Sequence, residues 1–301
     1  MATKTTTQDF SALEATLLDR RRLIEDTLLR LMPRGEAPTV EAALRDSLYA
    51  PAKRLRPILA LLVAEALRGD PTPVLPAACS IEMVHTASLI LDDLPSMDDA
   101  SSRRGRPACH VVHGEATAIL AAFALLNRAF EILAEGWPRG PDAAARALIG
   151  RELARAVGPE GMIAGQAQDL AMTERVIDLP TLEFIHSRKT GALFMAGAAL
   201  GALAARSSAA ERAAVVAYAK NIGLAFQIAD DVIDVTLGTE EAGKDVGKDA
   251  KKTTFVSFAG VEGARQLARE LVDAGREALS GFGPRAQPLL DLAEYVVARR
   301  R

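Results

Sequence analysis

Aromatic residues and cysteine are scarce in this chain, and neither sign of charge dominates it. Phe, Trp and Tyr make up 4% of the 301 residues, and the formal net charge is −3. Without a basic excess or a basic stripe, nucleic acid is not expected as a partner. Cys79 and Cys109 show no CxxC or other metal-ligand spacing, so we expect two reduced thiols and no thiolate metal site.

Segments that would direct the chain into or across a membrane are also missing from the sequence. Residues 1–22 contain no apolar run typical of a secretory signal. The longest uncharged apolar stretch, residues 191–205, is shorter than the roughly 20 residues that a spanning helix needs. We therefore expect a cytoplasmic protein without a transmembrane segment.

Linkers and glycine-rich phosphate loops are absent as well. No proline- and serine-rich or low-complexity segment divides the chain, and the Gly/Pro-rich stretch at 135–145 indicates a loop between helices. We expect residues 1–301 to form a single domain. The sequence has no GxxxxGK[ST] and no strand-linked GxGxxG, which excludes P-loop and Rossmann proteins.

Alanine and leucine, by contrast, are abundant among strong helix formers. Apolar residues recur three and four positions apart in one segment after another, and no stretch alternates with a period of two. The predicted helices around Leu89, Leu120 and Leu200 are apolar on nearly every side, which is typical of the centre of a bundle. The sequence predicts an all-α fold, a single large helical bundle.

A first cluster of aspartates follows one of these apolar segments directly. It contains Asp92, Asp93, Asp98 and Asp99. Pro95 cannot donate a backbone hydrogen bond and fits poorly inside a helix. We therefore expect the chain to loop after Asp93 and to bring Asp98 back towards Asp92.

A second cluster, in the segment FQIADDVID, contains Asp230, Asp231 and Asp234. Asp230 and Asp234 are four residues apart and share a helical face with Gln227. Like charges at this spacing destabilise a helix unless something compensates for them.

Two interpretations of the clusters are open. Acidic residues near a helix end commonly form a solvated face or complement the helix dipole. Two such clusters, each behind an apolar helix, favour a hard divalent cation instead. Mg²⁺ takes one or two carboxylates and completes its shell with water and substrate phosphate oxygens. The clusters therefore predict a site for a magnesium–diphosphate complex.

Basic residues near both clusters suit such an anion, because arginine forks and lysine charges both bind phosphate oxygens. They are Lys53, Arg54, Arg56, Arg103, Arg104, Lys189, Lys244, Lys248, Lys251 and Lys252. Lys248 and Lys251 are interpreted as solvated surface residues.

Taken in order, these motifs resemble the trans-isoprenyl diphosphate synthases of the polyprenyl synthetase family over nearly the whole chain. The resemblance rests on KRLRP at 53–57, HTASLILDDLPSMDD at 85–99, RRGRPACH at 103–110, GQAQDL at 165–170, KTGALF at 189–194, FQIADDVID at 226–234, GKD at 243–245 and KTTF at 252–255. One departure is that Pro51 and Ala52 stand where the family usually shows glycines.

The resemblance implies a role for each matching position. The metal ligands would be Asp92, Asp93, Asp98, Asp230, Asp231 and Asp234, holding Mg²⁺ against the diphosphate of an allylic substrate. Contacts to that diphosphate would come from Arg103, Lys189, Gln227 and Lys244. The diphosphate of isopentenyl diphosphate would bind Lys53, Arg56, His85 and Arg104. The reacting face would be lined by Gln166, Asp169 and Thr190.

The implied reaction is a head-to-tail condensation inside a bundle with a central apolar cavity. Ionisation of an allylic diphosphate (dimethylallyl, geranyl or farnesyl) is followed by attack of the isopentenyl double bond and loss of a proton. Metal ions and cations lower the barrier electrostatically, and no side-chain nucleophile is needed. His85 outside this motif would be interpreted as a hydrogen-bonded core histidine, and His110 and His113 are interpreted as structural.

Small residues before the first cluster predict the product length. Ala87 and Ser88 lie about one helical turn before Asp92, where family members that stop at fifteen carbons carry a bulky aromatic. Met83 and Val84, one turn further back, would form the floor. We expect a twenty-carbon product, geranylgeranyl diphosphate. The alternative interpretation is that Ala87 packs closely against a neighbouring helix, and both can be true.

Other activities remain as alternatives. A farnesyl diphosphate synthase would use the same site, whereas a class I terpene cyclase would lack KRLRP and a second DDxxD. A non-catalytic subunit would not need both clusters intact. The resemblance also implies a homodimer, and the charged loop at 238–252 is a candidate lid.

Overall fold

A computed structural model describes residues 9–32, 35–135, 137–173, 175–236 and 253–298 of the protein. The described chain is almost entirely helical. Its α-helices are α1 Ser11–Leu31, α2 Pro38–Leu48, α3 Leu55–Arg68, α4 Leu75–Asp92, α5 Cys109–His113, α6 Glu115–Ala134, α7 Ala143–Val157, α8 Met162–Ala171, α9 Leu179–Lys189, α10 Gly191–Ala204, α11 Ala209–Thr236, α12 Phe255–Ala278 and α13 Gln287–Ala298. The predicted all-α fold class is confirmed.

Helix α10 lies at the centre of the bundle. Every residue of this helix except Met195 is buried, and it packs against α3, α4, α7 and α11. Glycines allow the closest of these approaches: a Cβ at Gly197 would stand 2.9 Å from the carbonyl oxygen of Arg56 on α3. The prediction that the helix around Leu200 is central is therefore confirmed, and its small residues bring α3 close to the middle of the protein.

Helices α4 and α6 pack against each other, but only α4 is enclosed. The prediction that the helix around Leu120 is central is wrong, because Leu120 is 56% and Phe123 63% exposed. The alanine-rich face of α6 packs inward, while the opposite face is apolar and uncovered. Hydrophobicity alone cannot tell a face that packs within its own chain from one that faces outward.

The same two helices are apolar enough to pass a length-and-composition test for membrane spans. In the part of the chain that the structure describes, these are Thr72–Asp92, with 72% of its most apolar stretch buried, and Glu115–Ala134, with 39% buried. Core helices of water-soluble proteins have the same length and composition, so these two properties do not identify a membrane span.

A two-residue hairpin interrupts the helices after α4. Strand β1 Ser102–Arg103 pairs antiparallel with β2 Arg106–Pro107. The two residues at its tip, Arg104 and Gly105, both have positive φ values, 55° and 72°. This is the turn geometry that matches strand twist in tight hairpins. Strands this short leave no period-two pattern in a sequence, so the hairpin was not predicted.

Both cysteines are free thiols, as expected. Cys79 is buried in α4 and Cys109 is half-buried at the start of α5.

Candidate active site

The first aspartate cluster forms where α4 ends. Asp92 is the last residue of the helix, and the chain turns through Pro95 so that the backbone N–H of Asp98 donates to the carbonyl of Asp92 at 2.9 Å. A second bond, from Ala100 N–H to the carbonyl of Asp93 at 3.1 Å, closes the turn. The predicted loop, and the return of Asp98 towards Asp92, are confirmed.

Arg103 on the hairpin neutralises the buried aspartate of this cluster. Asp93 is 2% exposed, and the Nε of Arg103 donates to both of its carboxylate oxygens, at 2.9 and 3.2 Å. Burial still raises the pKa of Asp93 above its usual value, although Arg103 acts in the opposite direction. Arg103 thus pairs with the Asp93 carboxylate, but burial still makes the charged form of this carboxylate unfavourable.

Lys189, the last residue of α9, approaches the same cluster from the other side. Its Nζ donates to Asp169 Oδ2 at 2.8 Å and lies 3.7 Å from Asp92 Oδ2. Although burial alone would lower it, the pKa of Lys189 is raised by Asp92 and Asp169. The absence of a side chain at Gly165 on α8 allows the backbone of Lys189 to come this close, since a Cβ at position 165 would collide with it.

The second cluster lies on α11, and neutral groups support its most buried member. Asp231 is 7% exposed and accepts from Gln227 Nε2 at 3.1 Å and from the backbone N–H of Phe255 at 3.1 Å. Gln227 in turn accepts from the hydroxyl of Thr190 at 3.2 Å. Burial, with added repulsion from Asp230 and Asp234, raises the pKa of Asp231 to about 6.

The donor set at these clusters fits a magnesium–diphosphate complex. The candidate ligands are carboxylate oxygens, which hard cations prefer, and burial raises the pKa values of Asp92, Asp93 and Asp231. Within the described ranges, no three acidic, histidine or cysteine side chains converge into a closed ligand cage. An open set is compatible with Mg²⁺, which takes few protein ligands and needs substrate oxygens as well.

The residues assigned to the second diphosphate meet around α3, α4 and the hairpin. Arg56 Nη1 donates to His85 Nε2 at 3.2 Å, which assigns the histidine proton to Nδ1. Burial lowers the pKa of Arg56 to about 10, so it stays charged at neutral pH. Burial and the nearby arginines lower the pKa of His85 well below its usual value, so the ring is neutral. Lys53 is exposed just before α3, and Arg104 occupies the hairpin tip.

A cavity of about 280 Å³ opens beside the first cluster. Asp93, Arg104 and Thr86 line it, with Leu89 of α4. Thr86 and Leu89 lie on one face of α4, whereas Ala87 lies on a different face.

The residues predicted to set product length lie in the core of α4. Met83, Val84 and Ala87 are buried, and Ser88 donates its hydroxyl to the carbonyl of His85 at 2.8 Å. Their role in setting product length stays a prediction.

Gln166, predicted to line the reacting face, carries an unsatisfied polar atom. Its Oε1 is buried without a hydrogen-bond partner among the described residues, and its Nε2 lies 3.8 Å from the sulfur of Met97. A buried acceptor of this kind at the edge of the aspartate cluster is suited to a ligand donor or a water. Lys244, and the candidate lid at 238–252, lie outside the described residues.

Sequence reasoning missed two features of the site. Phe194 on α10 supports Arg56, whose guanidinium carbon lies 4.8 Å from the centre of the ring. Arg54, grouped above with the phosphate-binding cations, is 3% exposed and pairs with the buried Glu82. A lone glutamate in an otherwise apolar helix was a signal that could have indicated this pair, because buried glutamate is rare unless paired.

Comparison with known proteins agrees with this geometry. Residues 37–277 match the family described as Polyprenyl synthetase. A geranylgeranyl diphosphate synthase of Cyanophora paradoxa is 43% identical over 94% of this chain and 95% of its own length. A chloroplastic geranylgeranyl pyrophosphate synthase of Arabidopsis thaliana, number 3 of its series, is 45% identical over 89% of this chain and 76% of its own length.

Solved structures lead to the same family. An FPP/GFPP synthase from Zymomonas mobilis in its apo form superposes with a TM-score of 0.84 at 36% identity, covering 95% of this chain and 99% of that one. A geranyltransferase from Legionella pneumophila gives a TM-score of 0.85 at 31% identity, covering 96% and 98%. The chain belongs to the polyprenyl synthetase family.

Proposed function

We propose that this protein is a magnesium-dependent prenyltransferase that condenses isopentenyl diphosphate head-to-tail with allylic diphosphates and releases geranylgeranyl diphosphate. The observation that carries the proposal is the arrangement of charge at one end of an apolar bundle. Two carboxylate clusters are compensated by Arg103, Lys189 and neutral donors, and a separate basic group around Arg56 and Arg104 lies beside them. The protein therefore offers a separate binding site to each of two diphosphate substrates.

The residues of the chain have separable tasks in this reaction. Arg103 and Lys189, now paired with aspartates, are within reach of a diphosphate that approaches the same carboxylates, and their charge stabilises the departing oxygens. Bound Mg²⁺ would neutralise further charge on that leaving group. Thr190, Gln227 and Asp231 form one hydrogen-bonded chain that holds the second cluster in place.

The second substrate is held by the other basic group. Arg56 and Arg104 bind its diphosphate, and the neutral His85 contributes a hydrogen bond. The double bond attacks the allylic cation, and the proton that is lost passes to the released diphosphate.

The activity test uses purified protein with Mg²⁺, isopentenyl diphosphate and, separately, C5, C10 and C15 allylic diphosphates. The products are dephosphorylated and the prenyl alcohols identified by mass. We expect elongation from each primer to C20. A C15 end product would support the farnesyl alternative, and no elongation from any primer would contradict the proposal.

Product length is assigned to the small residues of α4. The relatives named above differ in the products that their names state, so the fold itself does not decide the length. Ala87→Tyr should end elongation at C15, because the ring would occupy the face of α4 along which the growing chain is proposed to extend. Ala87→Ser, a small replacement at the same position, is the control and should still give C20. A C20 product from Ala87→Tyr would remove Ala87 from the assignment.

A homodimer is proposed as the working state. Its support is the uncovered apolar face of α6, with Leu120 and Phe123, next to the exposed Val111 and Val112 of α5. Light scattering after gel filtration should give twice the chain mass. Leu120→Glu with Phe123→Glu should lower the mass to that of one chain.

The control for the dimer is Val176→Glu, a change at another exposed valine that should leave the mass unaltered. A wild-type mass of one chain would contradict the dimer.

A cytoplasmic location is proposed because Thr72–Asp92, one of the two stretches apolar enough to span a membrane, is largely packed inside the bundle. Cell fractionation should recover the protein in the high-speed supernatant, and recovery in the membrane pellet would contradict this.

A further inference from the structure

Glu82 is a buried acidic side chain in the apolar body of α4. It is 1% exposed, and its Oε1 accepts from Arg54 Nη1 at 2.5 Å. The same oxygen lies 4.0 Å from Arg104 Nη2. Its neighbours along the helix, Ile81 and Met83, are fully buried apolar residues. Keeping a carboxylate here requires the two arginines that face it.

Arg54 connects this carboxylate to the loop before α3. Besides Glu82, its guanidinium donates to the carbonyls of Leu48 at 2.5 Å and Ala50 at 3.3 Å, at the end of α2. Its backbone is left-handed, with a φ of 53°, directly before α3 begins. These bonds fix the segment in which Pro51 and Ala52 replace glycine, and they leave the Arg54 side chain turned inward.

Glu82 thus contacts both elements that present cations to the second diphosphate. Through Arg54 it holds the segment that carries Lys53 and Arg56 on either side. Through Arg104 it faces the tip of the hairpin, and His85 follows one turn later on its own helix. Stability does not explain this choice, because a buried ion pair is often no better than a well-packed apolar pair.

We propose that Glu82 is a positioning residue for isopentenyl diphosphate: paired with Arg54 and Arg104, it sets the spacing of the cations that bind the diphosphate without touching the substrate itself. The inference rests on the proposed function and deepens it. It assigns to Arg54, the first arginine of KRLRP, an internal task that differs from that of Lys53 and Arg56.

One substitution at Glu82 distinguishes a positioning role from a purely electrostatic one, because the two roles predict opposite changes in the affinity for the diphosphate. If Glu82 acted only through its negative charge, removing that charge beside an anion site would strengthen diphosphate binding. If Glu82 positions Arg54 and Arg104, the same substitution loosens their geometry and weakens binding. Glu82→Gln is suited to the test because the amide oxygen can still accept from Arg54, which favours a folded protein.

The experiment measures binding of isopentenyl diphosphate by calorimetry without metal, and steady-state kinetics with each substrate varied in turn. Glu82→Gln should raise the Kd and the KM for isopentenyl diphosphate roughly 10- to 100-fold, as loss of a positioning partner does elsewhere. The KM for the allylic substrate should stay within about twofold of wild type. Thermal unfolding of each variant reports whether the fold is kept.

Glu25→Gln is the matched control. Glu25 also faces Arg54, at 3.6 Å, but from the partly exposed side and without contact to Arg104. It should leave both KM values unaltered. If Glu82→Gln does not fold, Glu82→Asp takes its place, since it keeps the charge but shortens the reach to both arginines, and the same selective rise in KM is expected.

Tighter or unchanged binding of isopentenyl diphosphate by the folded Glu82 variant would overturn the inference. An equal rise in both KM values would do the same, because it would indicate a general structural defect. A wild-type protein that binds no isopentenyl diphosphate would instead contradict the proposed function, which distinguishes the two failures.

Discussion

The second aspartate of each cluster is buried, yet the two are supported in different ways. Asp93 is held by the guanidinium of Arg103, a charged side chain on a hairpin outside the helices. Asp231 is held by the amide of Gln227 and the backbone N–H of Phe255, both neutral and both part of the helical framework. The first carboxylate therefore has a counter-charge that a ligand can displace, and the second has none in those two contacts.

The two clusters therefore differ in how a cation would interact with their buried aspartates. A metal ion at Asp93 would have to compete with Arg103, whose guanidinium would then be available to a diphosphate. At Asp231, the cost of burying the charge is stored in the folded protein and is relieved by a cation or by a proton. Substitutions at Asp92, Arg103 and Asp231 test this difference between the clusters.

The largest effect is expected at Asp92. Asp92→Asn removes a carboxylate from the first cluster and the charge that faces Lys189, so kcat should fall on the order of 10³-fold. The initial rate of incorporation of radiolabelled isopentenyl diphosphate into prenyl product measures this loss. Asp99→Asn is the control, since asparagine tolerates the left-handed backbone found there, φ 46°, and Asp99 has no assigned metal role. Equal losses in both variants would contradict a specific role for Asp92.

A smaller loss of activity, with an opposite change in metal binding, is expected at Arg103. Arg103→Gln should lower kcat on the order of 10²-fold, because one donor to the leaving oxygens is missing. In the absence of substrate it should tighten Mn²⁺ binding, followed by electron paramagnetic resonance, since Asp93 loses its competing cation.

Arg106→Gln is the matched control, because Arg106 is the exposed register partner of Arg103 in the hairpin. It should change neither the rate nor the Mn²⁺ affinity. Unchanged Mn²⁺ affinity in Arg103→Gln would show that the ion pair does not compete with metal.

The smallest effect is a gain in stability at Asp231, at the expense of activity. The pKa of about 6 for Asp231 in the folded protein lies above the 3.8 of an unperturbed aspartate, so the folded state binds the extra proton more strongly than the unfolded state. The stability that this proton contributes is fully present below pH about 4 and is lost as the pH rises through about 6.

At pH 7.5 without metal, Asp231→Asn should therefore unfold at a temperature a few degrees higher than wild type, roughly 1 kcal/mol more stable. A flip of the Gln227 amide lets Thr190 accept instead of donate, so the variant keeps its hydrogen bonds. At pH 4.5 most of the advantage should be lost, as measured by calorimetry in a chelating buffer. A variant that is less stable than wild type at both pH values would contradict the assignment of Asp231 as a destabilising buried charge.

Sequence patterns predicted the helical elements and the location of both clusters well, because they depend on local chemistry. Spacing of three and four identified the helices, Pro95 identified the turn that returns Asp98, and Asp230 and Asp234 do lie on one helix. The predictions failed where contact with distant elements decides. Leu120 belongs to an apolar segment, but which neighbour covers it does not follow from that segment.

Local sequence patterns are enough to identify the chemical groups of this protein: two sets of carboxylates, several nearby cations and an apolar helical body. Their periodicity and their order along the chain suffice for the fold class and the family resemblance. Which cation faces which carboxylate depends on tertiary contacts and does not follow from these patterns. The same residue type occupies positions 54, 56, 103 and 104. Arg54 is nevertheless turned inward onto Glu82, whereas Arg103 neutralises Asp93. The reason is physical: burial and close approach set the energy of a charge, and both arise from residues far apart in the chain.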